Sequence, residues 1–181
     1  MKLTLRTDLA LRVLMYCALN DGLARKHDIA AACGASVNHL GQVIHALGQA
    51  GFIRTARGRG GGIVLARPPA RQAIGAVVRL FEARGPDDCF GDCNRPCPLI
   101  ADCRLRPVLS EALEAFWGVL DSYTLADLTE GNGRLAGAMG IGAVAAPDHA
   151  GVNPAVALPL AQRRAAPQWA RAAKARNLRM K

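Results

Sequence analysis

The chain has 181 residues, is 51% apolar and 20% charged, and carries a formal charge of +9. That length suffices for one domain with a sizeable core and a modest appendage, but not for two large enzyme domains, so a single functional site is expected. Lys2, Arg6, Asp8 and Arg12 interrupt the start, which therefore lacks the apolar run of a secretory signal, and the longest weakly apolar run, LAGAMGIGAVAA, is too short for a bilayer. A soluble cytoplasmic protein with no membrane partner is the expectation.

The charge is unevenly spread. Residues 1–79 hold eleven Lys/Arg against three acids, a net +8; residues 80–133 hold four against ten, a net −6; residues 134–181 hold eight against one, a net +7. A basic N-terminal half beside an acidic segment points to a nucleic-acid partner for the first.

In chain order, Leu9, Val13, Tyr16 and Cys17, with Ala10 and Leu14 beside them, predict a helix from Thr7 to Leu19, with Thr7 as its cap, Asp8 in its first turn and Gly22 as a stop. A second, short helix is expected from Asp28 to Cys33, ending at Gly34. Ser36 then reads as the cap of a third, in which Leu40, Val43, Ile44 and Leu47 repeat at helical spacing up to Gly51. Two helices joined by a tight glycine turn make a helix-turn-helix. Off the apolar stripe of the third helix lie Asn38, His39, Gln42, His45 and Gln49, a face rich in amide and imidazole groups and free of acids, suited to base edges and phosphates. A merely solvated face would more often carry Glu and Lys.

Phe52 and Ile53, then Ile63, Val64 and Leu65, have strand character, and the turn between them holds Arg57, Gly58, Arg59 and the triple glycine 60–62. Directly after a helix-turn-helix, a hairpin with a basic glycine-rich tip reads as the wing of a winged helix. A nucleotide-binding loop is the weaker reading, since the lysine and hydroxyl of a Walker motif are missing. Beyond Pro68 and Pro69, the residues Ile74, Val77, Val78 and Phe81 predict a fourth helix. Leu105, Leu109, Ala112, Phe116, Val119 and Tyr123 then alternate by four and three, the pattern of a seam between two helices; its partner is either the same helix of a second chain or the chain's own first helix. After Asn132 the composition turns to Gly, Ala and Pro and ends basic, which predicts a disordered tail over 133–181.

Between the fourth helix and the seam helix lies CFGDCNRPCPLIADC, with the spacing C-x3-C-x3-C-x5-C over Cys89, Cys93, Cys97 and Cys103. In a reducing compartment such a group binds metal or does redox chemistry rather than forming staples. A zinc site fits poorly, because the last gap is wide and the loop has no histidine. An iron–sulfur cluster fits better, since it takes thiolates from one loop and accepts a fourth ligand of another kind. Spacing alone leaves both open.

The runs LTLRTDLALRVLMY, SVNHLGQVIHALGQAGFI, RGRGGGIVLARP, CPLIADCRL and LDSYTLADL together resemble the Rrf-type winged-helix repressors, in particular the NsrR branch, relatives of IscR, over residues 1 to about 132. The resemblance implies a mainly α fold with a small β-hairpin wing: a winged helix-turn-helix over 1–80, a cluster-binding loop over 81–103, and a dimerisation helix with a short end helix over 104–132. It implies a homodimeric repressor that binds a double-stranded DNA operator and responds to nitric oxide attacking its iron–sulfur cluster. Cys89, Cys97 and Cys103 would be the cysteine ligands and Asp8 of the partner chain the fourth, with Cys93 as an alternative. The IscR branch has a histidine three residues after its last cysteine; here that position is Arg106, which favours [4Fe-4S] over [2Fe-2S]. Ser36, Asn38, His39, Gln42, His45, Arg57 and Arg59 would contact DNA. The rival readings are a sensor of iron–sulfur or redox status, a zinc-structured DNA-binding protein and a small electron-transfer protein; no nucleophile, base and orienter set suggests an enzyme.

Overall fold

A computed structural model describes residues 3–58, 60–82 and 103–141. Helix α1 (Leu5–Leu19) starts three residues earlier than Thr7 would place its cap. Thr4 is the cap: its extended backbone precedes the helix and its hydroxyl accepts from the Thr7 amide at 3.3 Å. Thr7 is wholly buried inside the first turn, with its own hydroxyl engaged by Glu82. Helix α2 (Lys26–Cys33) begins two residues before Asp28, which therefore sits in its first turn, and ends at Gly34 in the left-handed region at φ 62°. Ser36 caps α3 (Val37–Gln49), accepting from the His39 amide at 3.3 Å. Its apolar stripe of Leu40, Val43, Ile44 and Leu47 is buried.

Strands β1 (Ile53–Ala56) and β2 (Gly62–Leu65) pair antiparallel, with Ile53 opposite Leu65 and Ala56 opposite Gly62. Phe52 stays outside the strand. Ala24, ahead of α2, bridges Ile63 through two hydrogen bonds of 2.9 and 2.8 Å, so the hairpin is tied to the helix-turn-helix by main chain. The glycines at its base are a steric requirement. A side chain at Gly62 would meet Leu23 Cβ at 2.8 Å, and one at Gly61 would collide with the Ala56 carbonyl.

A 3-10 turn (Pro69–Arg71) leads to α4 (Ile74–Phe81), and the chain returns as α5 (Leu105–Asp121), α6 (Leu125–Thr129) and α7 (Gly133–Ala138). Helix α1 is the hub, packing on α2, α3, α4 and α6. Val13, Leu14, Leu40, Leu47, Val77 and Leu125 are among its fully buried partners and members. Burying side chains of this size contributes about 1.5–3 kcal/mol each. Main-chain bonds from Ile74 to Tyr123 and from Leu125 to Gln72, both 2.9 Å, fasten α6 beside α4.

Helix α5 is the longest helix described, yet none of its residues is buried. Trp117, Leu120 and, beyond its end, Tyr123 lean on the core, while Leu105, Val108 and Val119 are 58%, 61% and 42% exposed. Tyr123 thus belongs to the chain's own core and not to the exposed seam. The tail expected from residue 133 starts too early, because Asn132 caps α7 by accepting from the Leu135 amide at 3.2 Å and Met139 is buried against the core. Residues 142–181 lie outside the described residues. Among the described residues no helix is long and apolar enough to cross a membrane.

A fork ties α5 to α4. Arg79 of α4 donates to both oxygens of Asp121, at 2.5 and 2.6 Å, while its guanidinium lies 4.5 Å from the centre of the Trp117 ring. The hydrogen bonds from Arg79 hold the Asp121 carboxyl below the usual range. This contact is therefore complete above the ordinary carboxylate pKa and is lost as pH falls through the lowered one. Gly75 makes room for it, since a side chain there would run into the Asp121 carboxylate and come within 3.0 Å of the Asp121 amide. Gly75→Ala should therefore destabilise the protein by about 1–3 kcal/mol, despite alanine's better helix propensity. Adding Asp121→Ala should recover part of that loss; thermal melts of the two variants check both.

Candidate nucleic-acid interface and metal ligands

The capped start of α3 places its polar face outward. Ser36, Asn38, His39, Gln42 and His45 are all exposed, as is Gln49, and no acid occurs anywhere in α3. The Ser36 hydroxyl lies 3.2 Å from His39 Nδ1. When Ser36 donates in that bond, the ring proton sits on Nε2, so the outer edge of the imidazole presents a donor. One serine thus both starts the helix and orients a side chain of its face. The N-terminal end of a helix also favours anions such as phosphate.

At the hairpin tip Arg57 is exposed, and Gly58, at φ 107°, accepts the Gly61 amide at 2.9 Å in a tight turn. Arg59 lies outside the described residues. Two basic residues absent from the expected set line an open groove of about 670 Å³ beside α3: Lys26, from the start of α2, and Arg54, from β1. Lys26 lies across α3 at Gly41, where a side chain would meet its ammonium at 2.9 Å. The run Arg25-Lys26-His27 was the available sequence signal for it.

Of the expected metal ligands, Cys89, Cys93 and Cys97 lie outside the described residues. Cys103 is a free, half-buried thiol two residues ahead of α5. Asp8, on the first turn of α1, is half exposed, and its carboxylate pairs with Arg12 at 3.0 Å. Among the described residues no three His, Cys, Asp or Glu side chains converge as a metal would need. Thiolates with one carboxylate are nevertheless a donor set that suits an iron–sulfur cluster.

Cys17 and Cys33 are different in kind. Both are buried and free. Burial, and then the neighbouring Cys33, push the Cys17 thiol up to about 12. Burial also raises Cys33, with Arg12 opposing and Asp8 adding to the shift. Both lie in the hydrophobic core, where burial favours the protonated thiol over the reactive thiolate.

Glu82 was not expected to matter. It follows α4 directly, and its carboxylate accepts from the Thr4 amide at 2.6 Å and from the Thr7 hydroxyl. Partial desolvation works against the ionised form, but the hydrogen bonds from Thr7 and Thr4 outweigh it and set the pKa below the ordinary value. No local pattern around Glu82 could have revealed a contact with residues more than seventy positions earlier.

Residues 3–131 match the Rrf2 family, described as an iron-dependent transcriptional regulator. The chain is 48% identical over 138 residues to the HTH-type transcriptional regulator NsrR of Geobacillus kaustophilus (strain HTA426), covering 75% of this chain and 94% of that protein. It is 44% identical over 137 residues to the protein of the same name from Bacillus subtilis (strain 168), covering 72% and 91%. Among solved structures it resembles CymR, the global cysteine regulator of B. subtilis, with a TM-score of 0.58 and 26% identity over 71% of this chain and 96% of that one. The winged arrangement of α2, α3 and the hairpin is shared with such regulators, and the chain belongs to the Rrf2 family of DNA-binding transcriptional regulators, not to an enzyme family.

Proposed function

We propose that this protein is a homodimeric repressor that senses nitric oxide through an iron–sulfur cluster, of the [4Fe-4S] kind, held by Cys89, Cys97 and Cys103 of one chain and Asp8 of the other. The observation that carries the reading is where Asp8 lies. It is a half-exposed carboxylate on the helix that packs directly against the recognition helix α3, far along the sequence from the cysteines. The name shared by the relatives at 44–48% identity supports the same reading. Arg106, exposed where a histidine ligand would be needed, argues against a histidine-completed [2Fe-2S] site.

The cluster, when bound, supplies an iron whose weakest ligand is a carboxylate and which a diatomic molecule can attack. The chain supplies the rest. Asp8 can leave its exposed pair with Arg12 at little cost, because such pairs contribute about 0–1 kcal/mol. Through α1 its position is transmitted to α3. The apolar residues that α5 leaves exposed, Leu105, Val108 and Val119, support a helix-to-helix seam between two chains, which would set the spacing of the two recognition helices. Ser36, Asn38, His39, Gln42 and His45 read the major groove, and Arg57 and Arg59 hold phosphates beside it.

The decisive experiment is an anaerobic absorption spectrum with iron and sulfide counts, followed by binding to a duplex selected from a random library, with and without nitric oxide. Serine at Cys97 should abolish the cluster, whereas Cys93→Ser should leave it intact. Asp8→Asn should keep the helix start but change the spectrum and the nitric-oxide kinetics; parental values for both would exclude ligation by Asp8. Independently, Arg57→Ala with Arg59→Ala should weaken DNA binding and lower the slope of log affinity against log salt by roughly one to two units. Titrations across salt concentrations measure that slope.

A further inference from the structure

Glu82 stands at a junction. Before it, α4 ends at Phe81; after it, the chain enters the segment 83–102 that contains Cys89, Cys93 and Cys97. Its Oε1 takes two donors from the first turn of α1, the Thr4 amide and the Thr7 hydroxyl. The Thr7 hydroxyl is also 2.9 Å from that of Thr4 and is wholly buried, so Thr7 has no alternative partner in solvent. Thr4 then passes the constraint on: its carbonyl accepts the Asp8 amide at 3.1 Å. One carboxylate is thereby connected through a single residue to the backbone of the proposed fourth ligand. The cap does not need it for local reasons, because the Thr4 hydroxyl already satisfies the Thr7 amide. An ionised acceptor grips two donors more firmly than a neutral one and is favoured at the positive end of α1.

We propose that Glu82 is the positioning residue that couples the cysteine segment to α1, carrying a change in that segment to Asp8 and from there to the recognition helix. The proposal rests on the reading that the cysteines of one chain and Asp8 of the other form one site, so the Asp8 that Glu82 positions is the one its chain lends to the partner's cluster. A displacement of the α4 end draws Thr4 and Thr7 with it and turns the start of α1, which packs on α3.

The test compares Glu82→Ala, Thr7→Val, which breaks the same contact from its other side while keeping the shape, and Glu82→Gln, which keeps an acceptor. In protein without cluster, hydrogen exchange at the Thr4 and Asp8 amides should be about tenfold faster in Glu82→Ala and near parental in Glu82→Gln. In anaerobically reconstituted protein, the ratio of affinities for the selected duplex with and without cluster should fall toward one in Glu82→Ala and Thr7→Val, and stay near parental in Glu82→Gln. A parental ratio in both Glu82→Ala and Thr7→Val, beside a large ratio in the parent, would overturn the coupling alone. A parent with equal affinity in both forms would overturn the reading of the site and the coupling with it. If Glu82→Ala folds poorly, Thr7→Val decides.

Discussion

Asp121 has both its oxygens occupied by Arg79, and that fork settles where the long helix α5 lies. The contact matters because α5 buries no side chain completely and leans on the core along Trp117 and Leu120. A surface ion pair of this kind ordinarily contributes little. Here the geometry is bidentate, the guanidinium stacks on an indole, and the glycine at position 75 removes the side chain that would push the two helices apart. The fork therefore works less as a source of stability than as a choice of one angle for α5. That choice leaves its other apolar edge, at Leu105, Val108 and Val119, facing away from the chain's own core.

The two helices flanking the segment 83–102 are thus anchored in different ways. Helix α4 is bound at its end to the start of α1 by hydrogen bonds to a carboxylate, and α5 is bound to α4 by a charged fork near its own end. Both contacts use acids from the part of the chain where acids are in excess. The basic residues, by contrast, gather around α2, α3 and the hairpin, where Lys26, Arg54 and Arg57 are free of acidic partners on α3. The division of charge seen along the sequence is thus partly kept in space: Glu82 and Asp121 take part in contacts between helices, whereas Lys26, Arg54 and Arg57 lie on the side of α3 and the hairpin, where a polyanion would bind.

What could be read from the sequence was what depends on neighbours along the chain. Ser36 caps α3, Gly34 ends α2, and the stripe of Leu40, Val43, Ile44 and Leu47 is buried, each as local spacing requires. The strands were legible because β-branched residues flank a glycine turn. The start of α1 was not. Thr4 and Thr7 both offer a capping hydroxyl, and the Thr7 hydroxyl is taken by Glu82, seventy-five residues away. Nor could α7 be anticipated, since a Gly-Ala stretch becomes a helix there only because Asn132 caps it and Met139 finds a place on the core. At the candidate site, the polar face of α3 was legible from helical periodicity, whereas Lys26 reaches it only by folding across Gly41.

The glycines of the hairpin carry a consequence for how such a protein can diverge. Gly61 and Gly62 are locked by backbone on two sides, and Gly58 by its positive φ, so three of the four described glycines in the turn admit almost no replacement. Gly60 meets nothing within 4 Å, and Arg57 projects from the end of β1. Mutational drift at this tip is thereby confined to a few positions whose side chains can vary in charge and reach without disturbing the frame that presents them. Lineages inheriting this hairpin can retune what its tip touches in small steps, while the frame itself stays under purifying constraint.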